Sequence, residues 1–439
     1  MSSMTSSPSS SGKKVKVAKR KPATRRAPSA SEIAKSVKHF ETWSTHQNLE
    51  QAEFNDLPED LMKDVKAVFS TSALVPLSWV QQGSRDHRWL VSCSSPEFIS
   101  FINEAHEADP ELFFDDRERR TNAFQLLSAL IHIFSAWMSL KRMLASLIRF
   151  SEADFVANVY TPLRSPAITE STQRIQPRIC LPQPSVLRKL GSDAALILST
   201  KLVIPDTAIL IPASSIKHLS SSASSPYKAL NKVIKAGNAS KGSSFRYQAT
   251  ICDRLPDNPG FEFASSFWED KKPQHPNPED AYRQNRMSTA AAVRQLHALH
   301  VRVPIFGLVW CSGTVKAHVD FIGNSEADEI PTVLSAPYAR RGDGEGFEWR
   351  LERPADIIQV HFLIRNIDKW TIGCFRERVL VGIKKLVDHT ITQGKNFEPW
   401  RRCGEIATTR SRKQKENLKV ASHSSGSISE EPKARTRKR

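Results

Sequence analysis

Residues 263–273 read FASSFWEDKKP, an apolar run broken only by two serines that ends in Glu269-Asp270-Lys271-Lys272. The run is expected to be a strand. Side chains of a strand alternate with period two, so Glu269 and Lys271 share one face and Asp270 points to the other. A carboxylate beside an ammonium on one face suits one chemistry. The carboxylate holds a divalent metal, and the lysine orients a water or steadies the negative charge that develops in phosphodiester cleavage. A bare Glu-Xaa-Lys is more often a solvated strand end, so its meaning rests on what surrounds it.

Upstream, Ser151 with Glu152 and Asp154 opens a helix running through Tyr160, because a serine cap and acids in the first turn both favour a helix start. The apolar runs Ala194–Leu198 and Lys201–Ile211 read as adjacent strands. Pro205-Asp206 sits inside the second. An acid there is costly to bury unless it is paired or binds metal, and a proline there marks an edge or a bulge. Residues 214–243 are Ser-rich with five lysines and read as a flexible insertion with one short helix, followed by a strand over Phe245–Cys252.

Downstream, Pro278-Glu279-Asp280 starts a helix to about His300, with Gln284 and Gln295 on one side. Val303–Cys311 and Thr314–Phe321 then form a hairpin around Ser312-Gly313. Pro354–His389 is helical. In the N-terminal part, residues 31–150 are mostly helical. Their longest pattern covers residues 117–150; its apolar run, Ala123–Leu140, is just short of a membrane span, has polar interruptions and is followed at once by Lys141-Arg142, so it is read as a buried helix rather than a membrane span.

The chain carries a formal charge of +17, of which residues 1–30 supply +8 and residues 410–439 supply +7, so residues 31–409 are close to neutral. Residues 1–30 have almost no large apolar residue and the chain from Arg401 on is polar and basic, so residues 1–30 and 401–439 are expected to be disordered basic tails. Their clusters, 13–26 and 433–439, suit a nucleic acid or a nuclear import receptor, which makes a nuclear location the expectation. Six widely spaced cysteines with no Cys-x-x-Cys pair argue against a zinc ribbon and for reduced thiols. No Gly-x-Gly-x-x-Gly loop, His-Arg-Asp loop, Asp-Phe-Gly or Gly-x-Ser-x-Gly is present, which removes kinase and serine-hydrolase readings.

A helix with an early Glu152, a strand with Pro205-Asp206, a strand ending Glu269-Asp270-Lys271, a helix with glutamines and then a hairpin: this order resembles the PD-(D/E)xK phosphodiesterase superfamily. Residues 263–321 also resemble a domain of fungal multigene families that in some proteins precedes a fungal-type protein kinase domain. The resemblance covers about residues 150–325 and implies an α/β (α+β) restriction-endonuclease-like fold, a small mixed sheet flanked by helices, in a domain expected over residues 151–400. It implies that Asp206 and Glu269 ligate Mg²⁺ (or Mn²⁺), that Glu152 is an outlying acid of the same metal site, and that Lys271 orients the attacking water. Gln295, in preference to Gln284, would support the lysine or contact phosphate. The implied activity is metal-dependent hydrolysis of nucleic acid. The alternative is a nuclease fold without catalysis that binds nucleic acid or protein. The spacing departs from the family pattern, because Asp206 and Glu269 lie 63 positions apart and the Ser-rich insertion has to fill the interval.

Overall fold

The computed structural model describes residues 26–115, 123–184, 191–238, 245–271, 277–311, 313–323, 331–339, 346–395 and 400–404. The basic clusters 13–25 and 433–439 lie outside these residues, as does the end of the Ser-rich segment from 239 to 243.

The molecule is a mixed α/β structure built on one sheet of eight strands. In chain order these are β1 (Leu49–Gln51), β2 (Thr172–Ile175), β3 (Thr207–Leu210), β4 (Ala264–Asp270), β5 (Ile305–Cys311), β6 (Thr314–Ile322), β7 (Val333–Pro337) and β8 (Glu348–Arg350). The spatial order is β1-β7-β6-β5-β4-β3-β2, with β8 beside the start of β6. From β2 to β4 the strands run antiparallel; β4 and β5 are parallel, joined by a helix; β5, β6 and β7 are again antiparallel. Strand β1 comes from the N-terminal helical region, yet it pairs in parallel with β7 at the sheet edge.

Strand β4 is central, and all seven of its residues are buried. A strand covered on both faces carries apolar residues on both, which is why its sequence runs nearly continuous rather than alternating. One face is covered by helix α2 (Pro278–Ala298), which packs on β4, β5 and β6. Pro278 at its first turn and Glu279-Asp280 behind it set the start of that helix. Its Ala290-Ala291-Ala292 run brings the helix backbone close to the strands, and all three alanines are buried.

The opposite face is covered by helix α3 (Pro354–Trp370) and by the helical segment from Glu152 to Ala167. Trp370 packs edge-on to Phe306 of β5 there. Helix α1 (Ala123–Ala145) is long and apolar enough to cross a membrane by length and composition. Its Leu126, Leu130, Ile133 and Trp137 side is nevertheless buried against α3 and the Glu152–Ala167 segment, and the Trp137 indole donates to the Glu352 carbonyl at 2.8 Å.

Several local expectations give way to packing. Ala194–Leu198 is not a strand but the end of a helix, Ser192–Leu198, because an apolar run of this length fits a buried helix turn as readily as a strand. Lys201–Ile211 is split into Leu202–Val203 and β3, with Pro205-Asp206 in the break between them. Phe245–Cys252 begins as a helical turn, Phe245–Gln248. The Ser-rich insertion is packed rather than loose over its described part. It forms a helix over Pro226–Asn238, and Tyr227 and Phe245 join Phe261 and Phe263 in one aromatic cluster. The inserted residues between β3 and β4 thus bury their own aromatic side chains, and the two strands still pair directly.

Candidate functional site

The end of β4 meets the start of β3. These two strands run antiparallel, and Thr207 is opposite Trp268. Asp206 is the residue just ahead of that pair. Its amide donates to the Trp268 carbonyl at 3.0 Å, and its Oδ2 accepts the Asp270 amide at 2.7 Å. An acid that interrupts an apolar run is therefore placed at a strand mouth, half-buried, with one oxygen used and the residue fixed by its own backbone. The break made by Pro205 is what lets Asp206 turn to β4, because proline supplies no donor to continue the ladder.

On β4 the period-two alternation separates the three charged residues. Asp270 points to the α3 side, where the Arg164 guanidinium grips it with two bonds, Nη1 to Oδ2 at 2.8 Å and Nη2 to Oδ1 at 2.5 Å. Both partners are buried, and Arg164 lies 3.8 Å above the ring centre of Trp310. Tyr160 closes this side by donating its hydroxyl to the Lys271 carbonyl at 2.8 Å. Arg164 and Tyr160 lie in the Glu152–Ala167 segment, whose Val156–Tyr160 stretch is π-helical. Sequence reading missed both; the Arg164 signal is a cation in an otherwise apolar helical stretch that has to find an acid.

Glu269 points to the α2 side, like its β5 neighbour Val309, which packs on Ala281 and Tyr282. Its carboxylate is 1% exposed. Lys271 returns to this face, and its Nζ donates to Glu269 Oε1 at 2.8 Å and to the Asp270 carbonyl at 2.9 Å. Glu269 Oε2 is buried and makes no hydrogen bond. Such an atom is costly to bury without a partner, and it is the kind of oxygen a cation takes.

The electrostatics describe one site. Burial pushes the Asp206 carboxyl up to about 6, with the nearby Asp270 charge adding to the rise and the Asp270 amide and Lys271 opposing it. Burial also pushes Glu269 well above the ordinary carboxylate range, against the pull of Lys271 and with the help of Asp206. For Lys271, burial alone would lower the value; the Glu269, Asp206 and Glu152 charges outweigh it and hold the ammonium. Glu152, first residue of its helix behind the Ser151 cap, is near enough for its charge to act on Asp206, Lys271 and Tyr160. Two carboxylates and a third acid nearby thus face one ammonium, and the region is short of positive charge.

The structure moves Gln295 away from this site. Helix α2 runs back along β4 in the opposite direction, so its far half lies beside the strand's start. The buried Gln295 Nε2 reaches the carbonyls of Gln248 and Glu262 at 3.3 and 3.5 Å, at the other end of the strand from Glu269. The near half of the helix carries Gln284, whose Nε2 is 3.4 Å from the Ile204 carbonyl, two residues before Asp206. Asn285, one step further on, ties the helix to the sheet: its Nδ2 donates to the Phe267 carbonyl at 3.0 Å and its Oδ1 meets His318 Nε2 at 2.7 Å.

Among the described residues no group of three His, Cys, Asp or Glu side chains is drawn together tightly enough to enclose a metal. The donors that fit a cation are the second oxygen of Asp206 and Oε2 of Glu269. Both are hard carboxylate oxygens of the kind that Mg²⁺ prefers, and two protein ligands with waters completing the shell is its ordinary mode. No family model matches this chain, and no curated protein matches it.

Proposed function

We propose that the protein is a metal-dependent phosphodiesterase acting on nucleic acid, with a restriction-endonuclease-like core formed by the Glu152–Ala167 segment, β2, β3, β4, α2 and β5. The observation that carries this reading is the meeting of Asp206, Glu269 and Lys271 at adjoining strand ends, with Glu269 Oε2 buried and unbonded beside a held ammonium. The topology supports it as well. A helical segment, three antiparallel strands, a helix and a parallel strand follow one another as that core requires.

Asp206 and Glu269 would hold Mg²⁺ or Mn²⁺, with Glu152 as the outlying acid. When bound, the metal supplies Lewis acidity toward a phosphate oxygen and lowers the cost of forming hydroxide from water. The chain's own groups do the rest. Lys271 is fixed by Glu269 and by the Asp270 carbonyl, so its remaining proton is free to orient a water or to meet charge developing on phosphate. Arg164 keeps the neighbouring Asp270 out of the site by pairing with it on the opposite face of the sheet.

The absence of a third close ligand among the described residues favours a second reading, an inactive nuclease fold that binds nucleic acid. Assays of the full chain and a Lys271→Ala variant on plasmid, single-stranded DNA and RNA, each with Mg²⁺, Mn²⁺ or EDTA, separate the two. Metal-dependent cleavage that Lys271→Ala abolishes is the expected result. No cleavage, or equal cleavage by both proteins, overturns the catalytic reading, and binding without cleavage then leaves the second.

A further inference from the structure

Leu147 and Ile148 are the most exposed large apolar pair in sequence on the described surface, at 103% and 69%. They form the tip of a short connection from the end of α1 to the Ser151 cap. The connection is braced at its base. The Ser146 amide donates to the Met143 carbonyl, Ser146 Oγ accepts the Ile148 amide at 3.1 Å, and the half-buried Phe150 packs edge-on against the buried Phe155. Two apolar side chains are thus held out into water by an anchored backbone, at a hydration cost that folding does not recover.

Cations flank the tip in the chain. Lys141, Arg142 and Arg149 are all exposed, and no acid lies between Lys141 and Arg149 in the sequence. The Lys141 ammonium rests over the Trp137 ring and Arg142 bonds to Ser139 Oγ and the Met138 carbonyl, so both side chains have to swing out from the last turns of α1 to meet a ligand at the tip. Four residues beyond Ile148 is Glu152, which opens the helical segment whose Tyr160 hydroxyl donates to the Lys271 carbonyl at 2.8 Å. A span of four residues covers at most about 14 Å. An exposed apolar point joined by four residues to the segment that reaches the candidate site, with exposed cations before and after it in the chain, suits a polyanion with apolar surface inside it.

We propose that Leu147 and Ile148 are a wedge that enters a base step of bound nucleic acid and unstacks it beside the reacting phosphate, with Lys141, Arg142 and Arg149 holding the flanking phosphates. Apolar wedges of this kind trade the cost of unstacking for a bent strand that wraps more protein surface. The choice of nucleic acid as the occupant rests on the phosphodiesterase reading. The wedge directs the enzyme to steps that open easily, such as mismatches, pyrimidine–purine steps and single strands.

The test uses the full chain in EDTA, where binding proceeds without cleavage. Oligonucleotides carrying 2-aminopurine at successive positions are titrated with wild type, with the double variant Leu147→Ser/Ile148→Ser, and with Leu147→Met/Ile148→Val. Both positions are exposed, so folding is unaffected, and circular dichroism checks that. The expected result is a fluorescence rise at one position with wild type and with the conservative variant, and its loss in the serine variant. Wild-type binding without that rise, an unchanged rise in the serine variant, or no binding at all overturns the wedge. Sedimentation with phosphatidylserine–phosphatidylcholine vesicles that the serine variant abolishes also overturns it, and assigns the tip to a membrane surface. Unstacking without cleavage removes the catalytic reading and keeps the wedge; cleavage without unstacking does the reverse.

Discussion

The Asp206 carboxylate accepts the backbone amide of Asp270 at 2.7 Å, while the Asp270 carboxylate turns through the sheet to Arg164. Two acids that touch each other therefore have opposite assignments: one faces the candidate site and the other is bound into the scaffold. Removing one partner of a buried pair leaves an uncompensated charge, so Arg164→Met is expected to cost about 3–5 kcal/mol. Asp270→Leu is expected to be similarly harmful, and the double variant less so than the sum of the two. Urea unfolding of the three variants checks this; additive losses would contradict it.

The raised Asp206 value fixes the sign of a pH effect. With a folded value of about 6 against an ordinary 3.8, the folded protein keeps a proton between these values that the unfolded chain has released. Stability is therefore greatest below that window and falls as pH rises through it. Glu269, also raised, adds in the same direction. Urea midpoints measured across the window are expected to decline in wild type and to decline less in Asp206→Asn.

Metal reverses that trend, because it binds the ionised carboxylates. At neutral pH, Mg²⁺ is expected to raise the thermal midpoint of wild type by the usual mass-action gain. Glu269→Gln and Asp206→Asn are each expected to lose the rise, and the wild-type rise is expected to shrink as pH is lowered through about 6. An equal rise in the Glu269→Gln variant would place the cation elsewhere.

Gln295 bonds to backbone at the far end of β4, so Gln295→Leu is expected to lower stability by about 1 kcal/mol through the lost hydrogen bonds. Cleavage per folded molecule is expected to stay at the wild-type rate. A drop in rate without a drop in stability would return Gln295 to the site.

Gly307 is fixed by its neighbours rather than by its backbone angles. A Cβ there would stand 1.9 Å from His318 Nε2 and 2.3 Å from Asn285 Oδ1. Both groups are locked in turn, His318 by Asp320 and Asn285 by Phe267. Gly307→Ala is expected to cost about 3 kcal/mol by overpacking, read as a shift in the denaturation midpoint.

The site's strand residues were legible because their information is local. Alternation alone separates Glu269 and Lys271 from Asp270, and the proline before Asp206 marks the break that exposes it. What sequence did not reveal depends on direction and distance. Gln284 and Gln295 share a side of one helix, and only the antiparallel course of α2 over β4 tells which of them lies near the strand's end. Arg164 is 106 positions from Asp270, and no periodicity links them. Ala194–Leu198 failed for a different reason, since a five-residue apolar run carries no period long enough to tell a helix turn from a strand.

Strand β1 pairs Leu49 with Val333, so the edge of the sheet joins residues 284 positions apart in the chain. During synthesis β1 leaves the ribosome long before its partner exists, and the helices around it have to wait with their apolar faces uncovered. Sheet closure is therefore a late, slow event set by the arrival of β7, since long-range pairing is entropically costly until its contacts form. A nascent chain arrested before residue 333 is expected to leave the edge of Leu49–Gln51 unpaired, and one released past it to lock its first strand into place.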